Sequence, residues 1–404
     1  RYDALNESAE ENLAGIRVVK SFVNENFERQ KFDKASEELR EDFTAAERLM
    51  ALNSPFMNFT IYVLFVFILY FGSYLIVSSQ GTAFGVGQLS SLITYGFMML
   101  MSLMMLSFVF AMIIIAEEGA RRICEVLLAT STINNPENPL TEVTDGSIDF
   151  ENVGFSYSGP EGREALSGVD LHINSGEVIG IIGGTGSAKS TLVQLIPRLY
   201  DVTAGSVSVG GHNVKDYDID TLRGAVAMVL QKNVLFSGTI KENLLWGNPD
   251  ATDEEILEAA RLAQADSFVQ TFPDKYETHI EQGGNNVSGG QKQRLCIARA
   301  LLRRPKVLIL DDSTSAVDTK TDSLIRSGLK DFLPDTTKII IAQRTSSIEE
   351  SDKIIVLDNG RVNAIGTHEE LLKDNPIYRE VYFSQNKQSV DENQSQEGEV
   401  TSHE

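Results

Sequence analysis

From Leu49 to Ala116 the chain contains no Asp, Glu, Lys or Arg. A stretch of that length without charge leaves few folds open. In hydrocarbon each backbone polar group must find its partner within the protein, and within one segment only a helix achieves this. The run divides at the turn-like sequence from Ser78 to Gln88. On either side, Phe56 to Val77 and Leu89 to Ala116 each exceed the ~20 residues that cross a bilayer core. Soluble core helices seldom stay apolar for so long, so two membrane spans are expected, at about residues 52–79 and 88–116. Pro55 stands at the start of the first span, where its missing N–H costs little. Arg40 and Arg48 precede the spans, Arg121 and Arg122 follow them, and the loop between carries no cation. The positive-inside rule therefore puts both ends in the cytoplasm.

Two spans do not make a pore, so further spans must come from other sequence or another chain. The chain opens on Arg1, and the expectation is of a fragment or a processed product with no signal peptide in view. The second span carries Met98, Met99, Met101, Met104, Met105 and Met112. Such a run is a polarisable lining for varied apolar ligands, or, more commonly, packing and lipid contact. Residues 1–48 are rich in Glu, Lys, Arg and Ala, with Leu5, Leu13, Ile16, Val19 and Phe22 spaced as on an amphipathic helix broken near Gly15.

Beyond the spans, 131–146 has the Pro, Asn and Gly content of a linker. The alternating Ser147 to Phe155 then opens a soluble α/β domain. At its centre, Val178 to Ile182 reads as a buried parallel strand. Gly183, Gly184, Thr185, Gly186, Ser187 and Ala188 form a glycine-rich turn. From Ser190 to Tyr200 the apolar spacing is helical. Strand, turn and helix make a phosphate cradle, because small residues let backbone N–H groups close round an anion at a helix start. Lys189 supplies a charge for the phosphates, Ser190 a hydroxyl for Mg²⁺, and Thr191 continues the wall. Ala188 occupies the place of a second glycine, which is harmless at negative φ and costly at positive φ.

A second buried strand, Lys306 to Leu310, ends in Asp311 and Asp312. Acids at the carboxyl edge of a parallel sheet face the ligand crevice. Asp311 suits a Mg²⁺-holding role and Asp312 the water beside it; a helix N-cap is the competing reading for Asp312. Between the strands, Ser288, Gly289, Gly290 and Gln291 open an amphipathic helix, another anion-binding start, far from the cradle in sequence. Tyr157 follows the first strand, either to stack on an adenine or as an ordinary strand-end tyrosine.

The order of cradle, Gln231, Ser-Gly-Gly-Gln turn, acidic strand, Ser315-Ala316-Val317-Asp318 and the strand Ile339 to Arg344 resembles the nucleotide-binding domain of an ABC transporter over about residues 147–383. The fold class is thus a membrane α-helical segment fused to an α/β P-loop NTPase domain, which resembles the exporter branch. By that resemblance residues 1–130 are the end of the fourth span, a cytoplasmic loop including Gly15 to Phe22, and the fifth and sixth spans. ATP and Mg²⁺ are the implied ligands. Tyr157 would stack on adenine, Gly183 to Thr191 would wrap the phosphates, and Ser190, Gln231 and Asp311 would hold the metal. Gln231 would also sense the attacking water and couple to the membrane loops. Ser288 to Gln291 would cap ATP held by the opposite subunit, with Asp318 at the dimer contact.

Two positions depart from the active pattern. Asp312 stands where active members have Glu, and Gln343 where they have the switch His. That pairing, with the Ser-Gly-Gly-Gln turn intact, resembles the degenerate half of heterodimeric exporters. The reading is an exporter subunit in the cell membrane, multi-pass, with a cytoplasmic nucleotide-binding domain. A second half-transporter, the lipid bilayer and a small-molecule, lipid or peptide substrate would be its partners. An ATP-gated membrane regulator is the alternative.

The formal charge of −22 argues against a nucleic-acid surface. Cys124 and Cys296 show neither metal spacing nor a disulfide framework, as suits a reducing cytosol. The polar, acidic stretch 384–404 reads as disordered.

Overall fold

The computed structural model describes residues 2–80, 82–160, 162–312 and 317–385. The chain divides into two compact units, Arg1–Thr130 and Ser131–Glu404.

The first unit is helical: α1 (Tyr2–Ala14), α2 (Ile16–Ser21), α3 (Glu25–Ala51), α4 (Asn53–Ser78) and α5 (Val86–Leu127). Gly15 separates α1 from α2, where the sequence places the break. Asn12 Nδ2 donates to Glu28 Oε2 at 3.0 Å and ties α1 to α3. Pro55 lies in the first turn of α4, before any intrahelical N–H is needed. Both α4 and α5 are long and apolar enough to cross a membrane. They lie side by side where Gly72 faces Leu89, whose Cδ1 would stand 2.4 Å from a Cβ on that glycine. Phe65 and Phe97 meet edge to face with centroids 4.8 Å apart. Hydroxyls within the spans bond back to their own helix: Thr60 to the Phe56 carbonyl at 2.9 Å and Ser102 to that of Met98 at 2.8 Å. That satisfies them where water is absent. At 42 residues, α5 continues well past the expected span end into Glu117, Glu118, Arg121 and Arg122.

The second unit layers a small antiparallel sheet, a larger mostly parallel sheet and helices. The small sheet holds β1 (Ile148–Phe155), β2 (Leu166–Ile173), then, after β3 (Val178–Gly183) and α6 (Lys189–Gln194), β4 (Ala204–Val209) and β5 (His212–Asn213), in the order β2-β1-β4-β5. Next come α7 (Ile219–Ala225), β6 (Val226–Val229), β7 (Gly238–Thr239), α8 (Ile240–Leu245), α9 (Asp253–Leu262), α10 (Asp266–Val269) and β8 (His279–Ile280). The chain continues with α11 (Gly289–Leu302), β9 (Val307–Asp311), α12 (Thr319–Phe332), β10 (Thr337–Ile341), β11 (Lys353–Asp358), β12 (Arg361–Gly366) and α13 (His368–Asp374).

The large sheet runs β12-β11-β3-β10-β9-β6, with β12 alone antiparallel among its described strands. Successive residues of its central strands enter opposite cores, as a two-residue side-chain period requires. Ile179, Ile181, Ile309, Ile339 and Ile341 pack toward the small sheet. Leu308, Leu310, Ile340, Ile354 and Val356 pack toward the helices. Both faces are therefore covered, which explains the near-continuous apolar runs.

Three sequence expectations are adjusted here. The helix after the cradle ends at Gln194, not Tyr200. Pro197 lacks an N–H and its ring crowds the carbonyl four residues back, so the chain tightens into Leu195-to-Leu192 and Ile196-to-Val193 turns. The stretch 131–146 has a linker's composition but is fastened to the domain: Leu140 N–H donates to Asp216 O at 2.8 Å, and Val143 is buried. At the far end, a helix runs through Ser384 and Gln385, and only 386–404 of the expected tail lies outside the described residues.

Candidate functional site

Strand order builds the site. Because β10 lies between β3 and β9, and neighbouring strands sit ~4.8 Å apart, the carboxyl ends of β3 and β9 stand about 10 Å apart with the end of β10 between them. The register sets Ile181, Ile341 and Asp311 side by side. The next residues, Gly183 onward, Ala342-Gln343 and Asp312, therefore leave the sheet together.

The cradle is shaped from within. A Cβ at Gly183 would lie 2.2 Å from the Leu357 carbonyl on β11, so no other residue fits. Gly186 has φ +82, while Gly184 has no neighbour within 4 Å of a Cβ. Ala188 is in the left-handed region at φ 69, ψ 25, the case in which alanine is costly. Lys189 Nζ donates to Gly183 O at 2.8 Å, Gly184 O at 2.9 Å and Ser187 Oγ at 3.3 Å. Burial pushes its ammonium pKa down, against the upward pull of Asp311 and Asp312. Tyr157, largely exposed, has its hydroxyl 3.0 Å from that of Thr191 and its ring edge-on to Phe155 and Tyr200. It stands at the outer end of the cradle with ring surface open to a flat ligand.

Asp311 is buried and bonded to the Ser190 hydroxyl; burial raises its pKa, and Ser190 and Lys189 offset part of the rise. Asp312 sits at φ +48, a conformation that Asp accepts more readily than most residues. Its Oδ2 accepts Gln343 Nε2 at 2.7 Å and Gln231 Nε2 at 3.3 Å. Burial and the neighbouring Asp311 charge raise the Asp312 pKa, and the two amides pull it down. The sequence-assigned Gln231, Asp312 and Gln343 thus converge on one carboxylate oxygen.

The Ser190–Asp311 pair, with Gln231 nearby, offers hard oxygen donors of the kind Mg²⁺ takes. Among the described residues no cluster of three or more His, Cys, Asp or Glu could hold a metal.

The Ser-Gly-Gly-Gln turn forms a separate surface. Ser288 caps α11: its Oγ accepts Gln291 N–H at 3.3 Å, and Gln291 Oε1 accepts Ser288 N–H at 2.9 Å. The Gln291 side chain is therefore turned back on the turn. Ser288, Gly289, Gly290, Arg294, Val317 and Asp318 line a hollow of ≈ 410 Å³ that includes no cradle residue. Asp318 also caps α12 through Thr321 N–H at 2.9 Å. Ser315 and Ala316 lie outside the described residues.

One residue that sequence reasoning missed joins the site from the chain's end. Gln385 Nε2 donates to the Gln343 carbonyl at 2.7 Å, and its Oε1 accepts Thr345 N–H at 2.9 Å. No local motif marks it.

Comparison with known proteins agrees with this geometry. Residues 166–315 match the ABC transporter family, and residues 1–104 match the ABC transporter transmembrane region. An ABC transporter ATP-binding protein of Mycobacterium tuberculosis is 40% identical over 388 residues, covering 95% of this chain and 66% of its own length. A candidate multidrug export ATP-binding/permease protein of Staphylococcus aureus is 37% identical over 378 residues, covering 93% and 64%. The chain thus spans about two thirds of the length of these relatives. A bacterial Atm1-family ABC exporter solved with ATP bound superposes with a TM-score of 0.85 at 29% identity, covering 95% of this chain and 68% of that one. The protein is a membrane protein whose ATP-binding domain is cytoplasmic. The chain joins a membrane helical domain of the ABC transporter type to an ABC transporter P-loop NTPase domain, in the fold of an exporter.

Proposed function

We propose that this chain is a subunit of an ABC exporter that couples ATP binding and hydrolysis to export by alternating access, and that its own ATP site binds well but turns over slowly. The observation that carries the second part is the arrangement round Asp312. A general base must come within ~2.6–3.2 Å of its proton, directly or through one water. Asp is one methylene shorter than Glu, a shortfall of about one C–C bond, ~1.5 Å. The Asp312 oxygen that would do the work is already held by Gln343 and Gln231. Gln343 can donate and accept hydrogen bonds but cannot carry a proton at neutral pH as His can.

The binding parts are whole. Lys189 and the cradle N–H groups would face the phosphates, Tyr157 the base, and Ser190, Asp311 and Gln231 would hold Mg²⁺. Mg²⁺ held there with the nucleotide would neutralise charge on the phosphate oxygens. The separate hollow at Ser288 to Gly290 supports a two-site arrangement in which this turn caps a partner's ATP. A heterodimer follows, with the partner supplying Glu, His and the fast site.

ATP turnover by the transporter with this chain in both positions tests the reading. It should be slow, and Asp312→Glu with Gln343→His should raise it together more than either alone, because such groups act as a unit. Fast turnover by the unmodified homodimer would refute it. Nucleotide-dependent accumulation in vesicles separates export from an ATP-gated leak.

A further inference from the structure

The switch residue is gripped from two sides. Its side chain reaches Asp312, with Gln343 Nε2 donating to Oδ2 at 2.7 Å. Its main chain is held from the other end of the domain. The Gln385 carboxamide spans Gln343 and Thr345 as a neighbouring strand would, donating through Nε2 to the Gln343 carbonyl at 2.7 Å. Its Oε1 accepts both Thr345 N–H at 2.9 Å and Thr345 Oγ1–H at 3.2 Å. This amide uses a donor and an acceptor at once, a pairing that Gln and Asn can make and that a carboxylate or an amine cannot.

The helix bearing Gln385 is itself fixed. Asn375 Oδ1 accepts Tyr378 N–H at 2.9 Å at its start. The Tyr378 ring is fully buried, and Val381 packs beside the same core. Positions 378, 381, 382 and 385 fall on one face, since residues three, four and seven apart align on a helix. Anchoring Tyr378 therefore aims Gln385 at the loop. The rest of that loop is tied to α12: Arg326 Nη1 donates to the Ser346 and Ser347 carbonyls at 3.2 Å, and Ser347 Oγ to Asp322 Oδ2 at 3.2 Å.

We infer that Gln385 is a positioning residue for the nucleotide site, through which the last described helix holds residue 343 against residue 312. The inference rests on the reading of 343 as the switch position. It assigns to the helix bearing Gln385 a part in setting how closely that position meets the γ-phosphate side of the cradle.

The test uses the full protein in its membrane assembly, with Gln385→Ala and the isosteric Gln385→Glu. Glu keeps the acceptor for Thr345 N–H but sets an oxygen against the Gln343 carbonyl, so packing is unchanged while one bond is lost. Hydrogen exchange of the peptide covering 343–348 is the first readout. Gln385→Ala should speed exchange at Thr345 about tenfold, and Gln385→Glu should leave Thr345 protected. Unchanged exchange in Gln385→Ala would overturn the inference and leave the slow-site reading standing.

The second readout is ATP turnover in the Asp312→Glu, Gln343→His background. Displacing a group near the chemistry by ~1 Å can cost up to ~100-fold, so Gln385→Glu should lower kcat at least tenfold with KM within about twofold. Equal loss in kcat and affinity, or no loss, would refute positioning. A background that itself fails to gain turnover would sink the slow-site reading, while the exchange result would still judge Gln385.

Discussion

Moving one methyl within the cradle turn gives a sharp test of its geometry. Ala188 holds φ 69, ψ 25. A left-handed L-residue costs about 1–2 kcal/mol, which Ala188→Gly would release. Glycine's greater freedom when unfolded takes back about 0.4–1 kcal/mol. The half-buried Ala188 Cβ packs against the core beneath, and losing it costs roughly 0.4 kcal/mol, half of a fully buried methylene. The balance runs from a loss of about 0.4 to a gain of about 1.2 kcal/mol, centred on a small gain. Gly186→Ala works the other way. At φ +82 with no neighbour within 4 Å, the added methyl brings strain and no packing, for a net loss of about 0.8 kcal/mol. The two variants should differ by about 1.2 kcal/mol, or roughly 2–5 °C in Tm for a domain of this size. Thermal unfolding of the purified protein, followed at the transition that ATP shifts upward, measures it. If Ala188→Gly loses about 0.8 kcal/mol or more, the outcome when no left-handed strain is relieved, the left-handed assignment at 188 is wrong.

Two further outcomes follow. Gly290→Asp sets a carboxylate where a partner's γ-phosphate would meet the start of α11; in the proposed heterodimer it should nearly stop turnover, whereas Asp312→Asn should spare most of it. Steady-state ATPase rates with site-specific crosslinking of bound nucleotide decide this, and the reverse order would invert the division of labour. The exposed His172 Nδ1 pairs with the Asp149 carboxylate, and this bond, then a second to Asn174, raises its pKa above 6.5. The stabilisation is fully present below the unfolded value and is lost as pH rises through the folded one; solvent screening keeps it small. Asp149→Asn should therefore lower Tm more at pH 6 than at pH 8.5, and an equal shift at both would refute the linkage.

What was legible in the sequence followed short-range rules. The uncharged run named its own medium, and the apolar strands ending in Gly183 and Asp311 announced a parallel sheet with both faces covered. Spacing alone pointed to Lys189 and Ser190 as cradle residues and to a helix opening at the Ser288 turn. Other features depend on partners remote in sequence. No local pattern says that β10 inserts between β3 and β9, yet that order brings Gln343 onto Asp312. The sign of φ at Ala188 is a property of the closed turn. Pro197 was in plain view and should have shortened α6. Leu140 reads as a linker residue until Asp216 receives its N–H. Gln385 sits 42 residues from Gln343, within a tail whose composition suggested no structure.

One consequence of α5 is mechanical. A continuous helix of 42 residues measures about 63 Å. Taking Ala116 as the point where it leaves the bilayer, about 17 Å lies on the charged side and about 46 Å on the apolar side, at 1.5 Å per residue. Such a rod, if it pivoted at that boundary, would be a lever with arms in a ratio of roughly 2.8 to one. Glu118, Arg121 and Arg122 ride on the short arm. A displacement of about 2 Å imposed there would swing the far end by about 6 Å, so a small cytoplasmic movement would reach the opposite side of the membrane enlarged.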